Sequence, residues 1–131
     1  MTAVTSYAQG PALVTLGRHM VDHELPDLAE LALATSQNDV AAHLGRPEPA
    51  GLLAWARSLD EVRIELRCLD HGPFVHVHGL LGQLSLRVWS VLQIPASEIP
   101  PVARFERVTL GLGPLRRWAD QASAAARRCR R

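Results

Sequence analysis

Residues 61–92 read EVRIELRCLDHGPFVHVHGLLGQLSLRVWSVL and alternate apolar with polar side chains through three consecutive segments. A period of two places successive side chains on opposite sides of a β-sheet, so this stretch predicts three strands. The turn-forming run Asp70-His71-Gly72-Pro73 separates the first segment from the second. We therefore expect an antiparallel three-stranded meander at the centre of the fold.

The two faces of this meander differ in chemistry. Aliphatic side chains such as Ile64, Val77 and Leu86 share one face, which predicts that this face packs on the core. The other face collects cations and aromatic rings, namely Arg63, Arg67, Phe74, His76, His78, Arg87 and Trp89. This mixture suits binding better than simple solvation, so the second face is the candidate working surface.

The remaining segments predict an α+β protein. Apolar spacing, prolines and turn residues indicate a helix over residues 11–24, a hairpin over residues 27–44, a helix over residues 49–59, a strand over residues 102–110 and a helix from Pro114. Residues 28–34 fit a helix almost as well as they fit the first strand of the hairpin. The expected fold is an antiparallel sheet, made of hairpin and meander, packed against helices and followed by a C-terminal helix.

With 131 residues the chain is long enough for one domain with its own core. The expected divisions are a flexible tail over residues 1–10, an α+β core over residues 11–92, a proline-rich linker over residues 93–101, and a strand and helix extension over residues 102–131 that ends in an arginine-rich tail.

Composition limits the classes of partner and compartment. The net charge is +1, so the chain as a whole does not attract nucleic acid or membranes, although all fourteen basic residues are arginine and local clusters exist. Two cysteines are too few for a disulfide framework, which favours a reducing compartment. We find neither a secretory signal nor an apolar run of about 20 residues, and therefore expect a cytoplasmic protein without a membrane partner.

No catalytic signature accompanies these features. The sequence contains no phosphate-binding glycine loop, no Gly-x-Ser-x-Gly elbow, no Cys-x-x-Cys pair and no dinucleotide fingerprint. A conventional enzyme is therefore hard to assemble from these residues, which favours a protein without enzymatic activity while leaving the question open, and we expect no cofactor.

The first functional hypothesis is a protein-interaction module. Four apolar side chains fall on the second face of the meander, namely Phe74, Leu80, Trp89 and Val91. An exposed apolar patch usually marks an interface, so we expect another protein to cover it. A second copy of the chain is the favoured partner, through this face or through the last helix, which predicts a homodimer.

The second hypothesis is a nucleic-acid-binding regulator. Sheets that bind single strands use rings to stack on bases and cations to contact phosphates. In this reading Phe74 and Trp89 stack, while the phosphates are bound by Arg63, Arg67, Arg87, Arg127, Arg128, Arg130 and Arg131.

The third hypothesis is a histidine metal site. His19 and His23 lie one helical turn apart, and the run HMVDH resembles the inverted zincin motif His-x-x-Glu-His, with Asp22 in the place of the general base. His76 and His78 project to one side of a strand and offer two further imidazoles. An ordinary polar helix end and a solvated strand face are the competing interpretations.

Overall fold

The computed structural model describes residues 8–34, 37–69, 72–99 and 106–129. The predicted α+β class is confirmed, because three helices and a six-stranded sheet form in these residues. In chain order the elements are α1 (Gln9–Asp22), β1 (Leu28–Ala34), β2 (Asp39–Leu44), α2 (Pro49–Ser58), β3 (Asp60–Leu69), β4 (Gly72–Leu81), β5 (Leu84–Val91), β6 (Arg107–Leu110) and α3 (Leu112–Cys129). The ambiguous residues 28–34 form a strand.

The prediction of a purely antiparallel sheet is wrong. The strand order is β1-β2-β5-β4-β3-β6, and β2 runs parallel to β5, whereas all other neighbours are antiparallel. The reason is the connection through α2, which carries the chain from β2 past β5 and β4 to β3. Since β3, β4 and β5 alternate in direction, β5 runs the same way as β3 and as β2.

The helices form one layer against one face of this sheet. Alternate residues of the central strands point into that layer and are almost completely buried, as the sequence predicts for Ile64, Val77 and Leu86. Trp55 of α2 lies at the centre of the core with no exposed surface. Its indole nitrogen donates to the carbonyl oxygen of Pro26 at 3.4 Å, which ties the helix to the segment before β1.

The C-terminal helix belongs to the same core. Leu115 and Trp118 of α3 are buried with the residues of the central strands, and α3 packs along α2. The strand β6, which precedes α3, extends the sheet by pairing with β3. Within the described residues, no helix has the length and apolar character that crossing a membrane requires.

The segment that joins α2 to β3 passes very close to the backbone of β4 at Gly79. A Cβ atom at this position would lie 2.7 Å from Leu59 Cβ and 3.2 Å from the carbonyl oxygen of Asp60. Both distances are below ordinary van der Waals contact, and one of the two atoms belongs to the backbone. The position therefore requires glycine for reasons of space.

We expect Gly79→Ala to destabilise the protein by about 1–3 kcal/mol, because the added methyl group overpacks a closed part of the core. Gly17→Ala is the matched control, since Gly17 lies within α1 with no atom within 4 Å of its added Cβ. The control is expected to stabilise by about 0.5–1 kcal/mol through helix propensity. Urea unfolding measures both changes, and a neutral Gly79→Ala would contradict the close approach.

Candidate functional site

The candidate site is the face of the sheet turned away from the helices, which we call the outer face. The strands bury every second side chain in the helical layer, so the alternate side chains project to the other side. In the described part of the chain no helix packs on this side. The outer face therefore exposes side chains from six adjacent strands.

One row of residues crosses the whole outer face in direct register. The pairings between neighbouring strands connect, in order, Glu30, His43, Trp89, His76, Glu65 and Thr109. Directly opposed side chains on neighbouring strands have Cβ atoms about 5 Å apart, so the residues of the row are neighbours on one face. The row runs from one edge strand, β1, to the other, β6, and aromatic and imidazole rings lie at its centre.

Five stacked rings lie on this row or beside it, and we call them the ring cluster. They are His43, Trp89, Phe74, His76 and His78. The tightest stack joins His43 to Trp89, with ring centroids 4.1 Å apart and planes 9° apart. Phe74 stacks on Trp89 at 5.1 Å and 17°, and the cluster continues to His76 at 5.8 Å from Phe74 and to His78 at 6.0 Å from His76.

Trp89 lies inside this stack. Its strand, β5, lies between β2 and β4, so His43 approaches the indole from one side and Phe74 approaches it from the other. Each such ring pair contributes about 0.5–1.5 kcal/mol beyond the burial of its surface. The ring cluster is thus preorganised and presents ring edges to the solvent.

A shallow hollow of about 460 Å³ lies beside the ring cluster. It forms where β2 and β5 separate, because their register ends at the pair His43 and Trp89. Phe74, Val91 and Pro47 also line it, which makes its wall mostly apolar. The hollow is suited to an apolar side chain from a partner.

The outer face carries balanced charge. Its arginines are Arg63, Arg67, Arg87 and Arg107, and its carboxylates are Glu30, Asp39, Asp60 and Glu65. Arg63 Nε lies 3.0 Å from Glu65 Oε1, and His78 Nε2 lies 3.7 Å from Glu65 Oε2. The buried Nε of Arg67 has no hydrogen-bond partner in this part of the chain.

Two imidazoles of the ring cluster resist protonation. Burial, followed by the nearby guanidinium of Arg87, lowers the pKa of His76 from 6.5 to about 4. Burial also lowers the pKa of His78, although the carboxylate of Glu65 opposes the effect. Both rings are therefore neutral near pH 7. Protonation at lower pH would place a positive charge on each imidazole close to the arginines.

The structure brings together three of the four apolar residues predicted as the interaction face. Phe74 and Val91 are directly opposed across β4 and β5, and Trp89 stacks on Phe74. Leu80 also lies on the outer face, but His76 and His78 separate it from the other three along β4.

The arginines of the nucleic-acid hypothesis divide into groups. Arg63, Arg67 and Arg87 share the outer face, on β3 and β5. Arg127 and Arg128 are exposed near the end of α3, which belongs to the helical layer. Arg130 and Arg131 lie outside the described residues.

The histidines of the metal hypothesis lie on opposite sides of the sheet. His76 and His78 belong to the outer face, whereas His19 lies on α1 in the helical layer. Ser58 Oγ donates its proton to the carbonyl oxygen of Trp55 at 2.8 Å, so in the 2.9 Å contact with His19 Nε2 the imidazole is the donor. Burial followed by the neighbouring His23 lowers the pKa of His19. Among the described residues, no group of three or more His, Cys, Asp or Glu side chains is arranged to hold a metal ion.

Sequence reasoning missed His43, Glu30 and Arg107 as residues of this face. The alternation of β2 marks His43 as a residue that points away from the core, since Ala42 and Leu44 are buried. That local signal does not indicate Trp89 as its neighbour, because the parallel pairing of β2 with β5 spans more than forty residues.

Comparison of the chain with protein-family models, curated proteins and solved structures found no match.

We expect the stability of the fold to fall as the pH drops from 7 to 5, with His76 as one cause. Its pKa is about 4 in the folded state and 6.5 when unperturbed, so the unfolded chain binds more protons between these values. After allowance for solvent screening, wild type should lose about 1 kcal/mol more than His76→Asn over this range. Urea unfolding at both pH values measures the difference.

Ser85→Asn is the control, because Ser85 is an exposed and non-titrating residue of the same outer face. It should keep the pH dependence of wild type. Equal pH dependence in wild type and His76→Asn would contradict the assigned pKa.

Proposed function

We propose that this protein is a small non-enzymatic interaction module that self-associates through the outer face of its sheet. The observation that carries the proposal is the ring cluster, a set of packed rings on a face that no element of the described chain covers. Ordered aromatic side chains at a protein surface are typical of interface centres. Covering them with protein removes their apolar edges from water.

The orientation of the rings supports a protein partner over stacked bases. Base stacking requires a free ring face, and His43 and Phe74 occupy the two faces of Trp89. The exposed edges of stacked rings instead form a flat apolar patch, and the neighbouring hollow offers a place for a partner's side chain. Shape and polarity therefore favour protein on this surface.

The balanced charge supports a second copy of the chain as the partner. A two-fold interface uses the same patch on both subunits, so the patch has to supply both signs of charge itself. Four arginines and four carboxylates on the outer face meet this condition. A surface that binds phosphates carries an excess of cations, which these carboxylates offset.

The size of the outer face is compatible with a stable dimer. Six strands about 4.8 Å apart and about 7 residues long give a flat extent of roughly 500 Å², before side-chain relief is added. A standard interface buries about 800 Å² on each partner. Coverage of the whole outer face, with the relief of its side chains added to the flat extent, therefore approaches the area of a standard interface.

The last helix is a weaker candidate for the same role. Its apolar residues Leu115, Trp118 and Ala119 are already buried within the chain. The residues that follow are mostly small or charged and exposed, among them Arg127 and Arg128. They leave no aromatic or aliphatic centre for an interface.

We expect Val91→Asp to weaken self-association at least about tenfold, because each copy would bury an unpaired carboxylate at the rim of the ring cluster. Light scattering after size exclusion should show the mass of the assembly halved. Val21→Asp is the matched control, since Val21 is 78% exposed on α1 in the helical layer. Unchanged mass for Val91→Asp, or equal loss in both variants, would contradict the proposed surface.

Binding of labelled single-stranded DNA and RNA, followed by anisotropy at low and high salt, separates this function from nucleic-acid binding. We expect no saturable binding. A tight complex that weakens steeply with salt and with Arg67→Ala would replace the proposed function with the nucleic-acid one, because counterion release marks phosphate contacts.

A further inference from the structure

The strand β1 forms one edge of the sheet. Its only neighbour in the described part of the chain is β2, so one side of its backbone has no strand partner there. An edge strand presents a row of free N–H and C=O groups, which is a template for pairing with another strand.

The core covers β1 only in part on the side that faces the helices. Leu31 is directly opposite Ala42, which is 1% exposed in the core, yet Leu31 itself is 38% exposed. The core thus covers Leu28 and Leu33 of β1 in part and leaves Leu31 open. A leucine that points toward the core thus remains in contact with water at the edge of the sheet.

This edge carries few of the features that usually prevent pairing. Natural edge strands are short or carry Lys, Arg or Pro, and the opposite edge follows this rule, since β6 has four residues and includes Arg107. In β1 the seven residues LAELALA contain one charged side chain, Glu30, and no proline. A bulge disturbs only its start, between Leu28 and Glu30.

We propose that β1 pairs antiparallel with β1 of a second copy, about a two-fold axis at Ala32, so that two sheets join into one. This surface is distinct from the outer face, and the inference does not depend on the proposed function. The regular part of β1 runs from Glu30 to Ala34, and Ala32 is its middle residue. An axis there uses the whole regular stretch and avoids the bulge.

The side chains of β1 fit a second β1 in this register. Leu31 of each copy lies opposite Leu33 of the other, on the core side, so that the exposed Leu31 packs against the half-buried Leu33. Glu30 of each copy lies opposite Ala34, and the two carboxylates lie at opposite ends of the paired strands. No two side chains of like charge therefore lie directly opposite each other.

The two surfaces are compatible in one closed assembly. The axis at Ala32 is perpendicular to the sheet, whereas a two-fold axis between outer faces lies parallel to it. Where these two perpendicular two-fold axes intersect, they generate a tetramer of closed symmetry, and each two-fold contact alone closes at two copies. Loss of either surface then leaves a dimer held by the other.

The test uses the Val91→Asp chain, in which the outer face no longer associates. We expect this chain to form a species of two copies by sedimentation velocity. Ala32→Lys and Ala32→Asp, each added to it, should give single chains, because like charges meet at the axis. An equimolar mixture of the two should restore the two-copy species, since lysine then faces aspartate.

Ala41→Lys and Ala41→Asp are the matched controls. Ala41 is the partner of Ala32 on β2, on the same face and one strand away from the edge. Charges there should leave the two-copy species intact. Circular dichroism confirms that each variant is folded.

A cross-link gives a second measurement of the same contact. In a Val91→Asp chain that also carries Cys68→Ser and Cys129→Ser, Ala32→Cys should form a disulfide dimer with oxidised glutathione. Directly opposed antiparallel residues have Cα atoms about 4.5–5.5 Å apart, within the range that a disulfide spans. Ala41→Cys should form none.

The outcomes separate the two proposals. A Val91→Asp chain that is always single, with no restoration in the mixture, overturns the edge pairing and leaves the outer-face function standing. Equal mass in wild type and Val91→Asp, with single chains for Ala32→Lys in the wild-type background, overturns the outer-face function and supports the edge pairing.

Discussion

The parallel pairing of β2 with β5 is the contact on which the rest of the structure depends. Val40 and Ala42 of β2 are buried beside Leu86 and Val88 of β5, so the pairing extends the core as well as the sheet. It turns two antiparallel units into one six-stranded layer. The same pairing brings His43 onto the indole of Trp89 and leaves β1 as the outermost strand, so it builds the ring cluster and the free edge together.

Rings and charges on the outer face constrain one another. The ring cluster excludes water from His76, and the arginines around it make a positive charge on the imidazole unfavourable, so the ring stays neutral and packs like an aromatic residue. Arg67 is one of these arginines, and its Nε is buried without a hydrogen-bond partner in the described residues. An unpaired buried donor costs free energy, and a partner surface with acceptors would recover it. These features are the basis on which we propose the outer face as an interaction surface.

The meander and its faces could be read from the sequence because they depend on local periodicity. Alternation over residues 61–92 predicts which side chains enter the core, and the burial of Ile64, Val77 and Leu86 confirms it. Residues 28–34 were ambiguous because a short apolar segment fits both periods. Pairing with β2 resolves them, since register with Ala42 gives Leu31 a strand neighbour that no local pattern specifies.

The sequence by itself determined the α+β class, the helical segments, and the ring and arginine content of one face of the meander. Only the tertiary structure decided the strand order, the parallel step between β2 and β5, and the inclusion of His43, Glu30 and Arg107 in the outer face. The physical reason is that side-chain direction within a strand follows from backbone geometry over a few residues. Which strands become neighbours depends instead on the burial of whole surfaces, to which residues far apart in the chain contribute together.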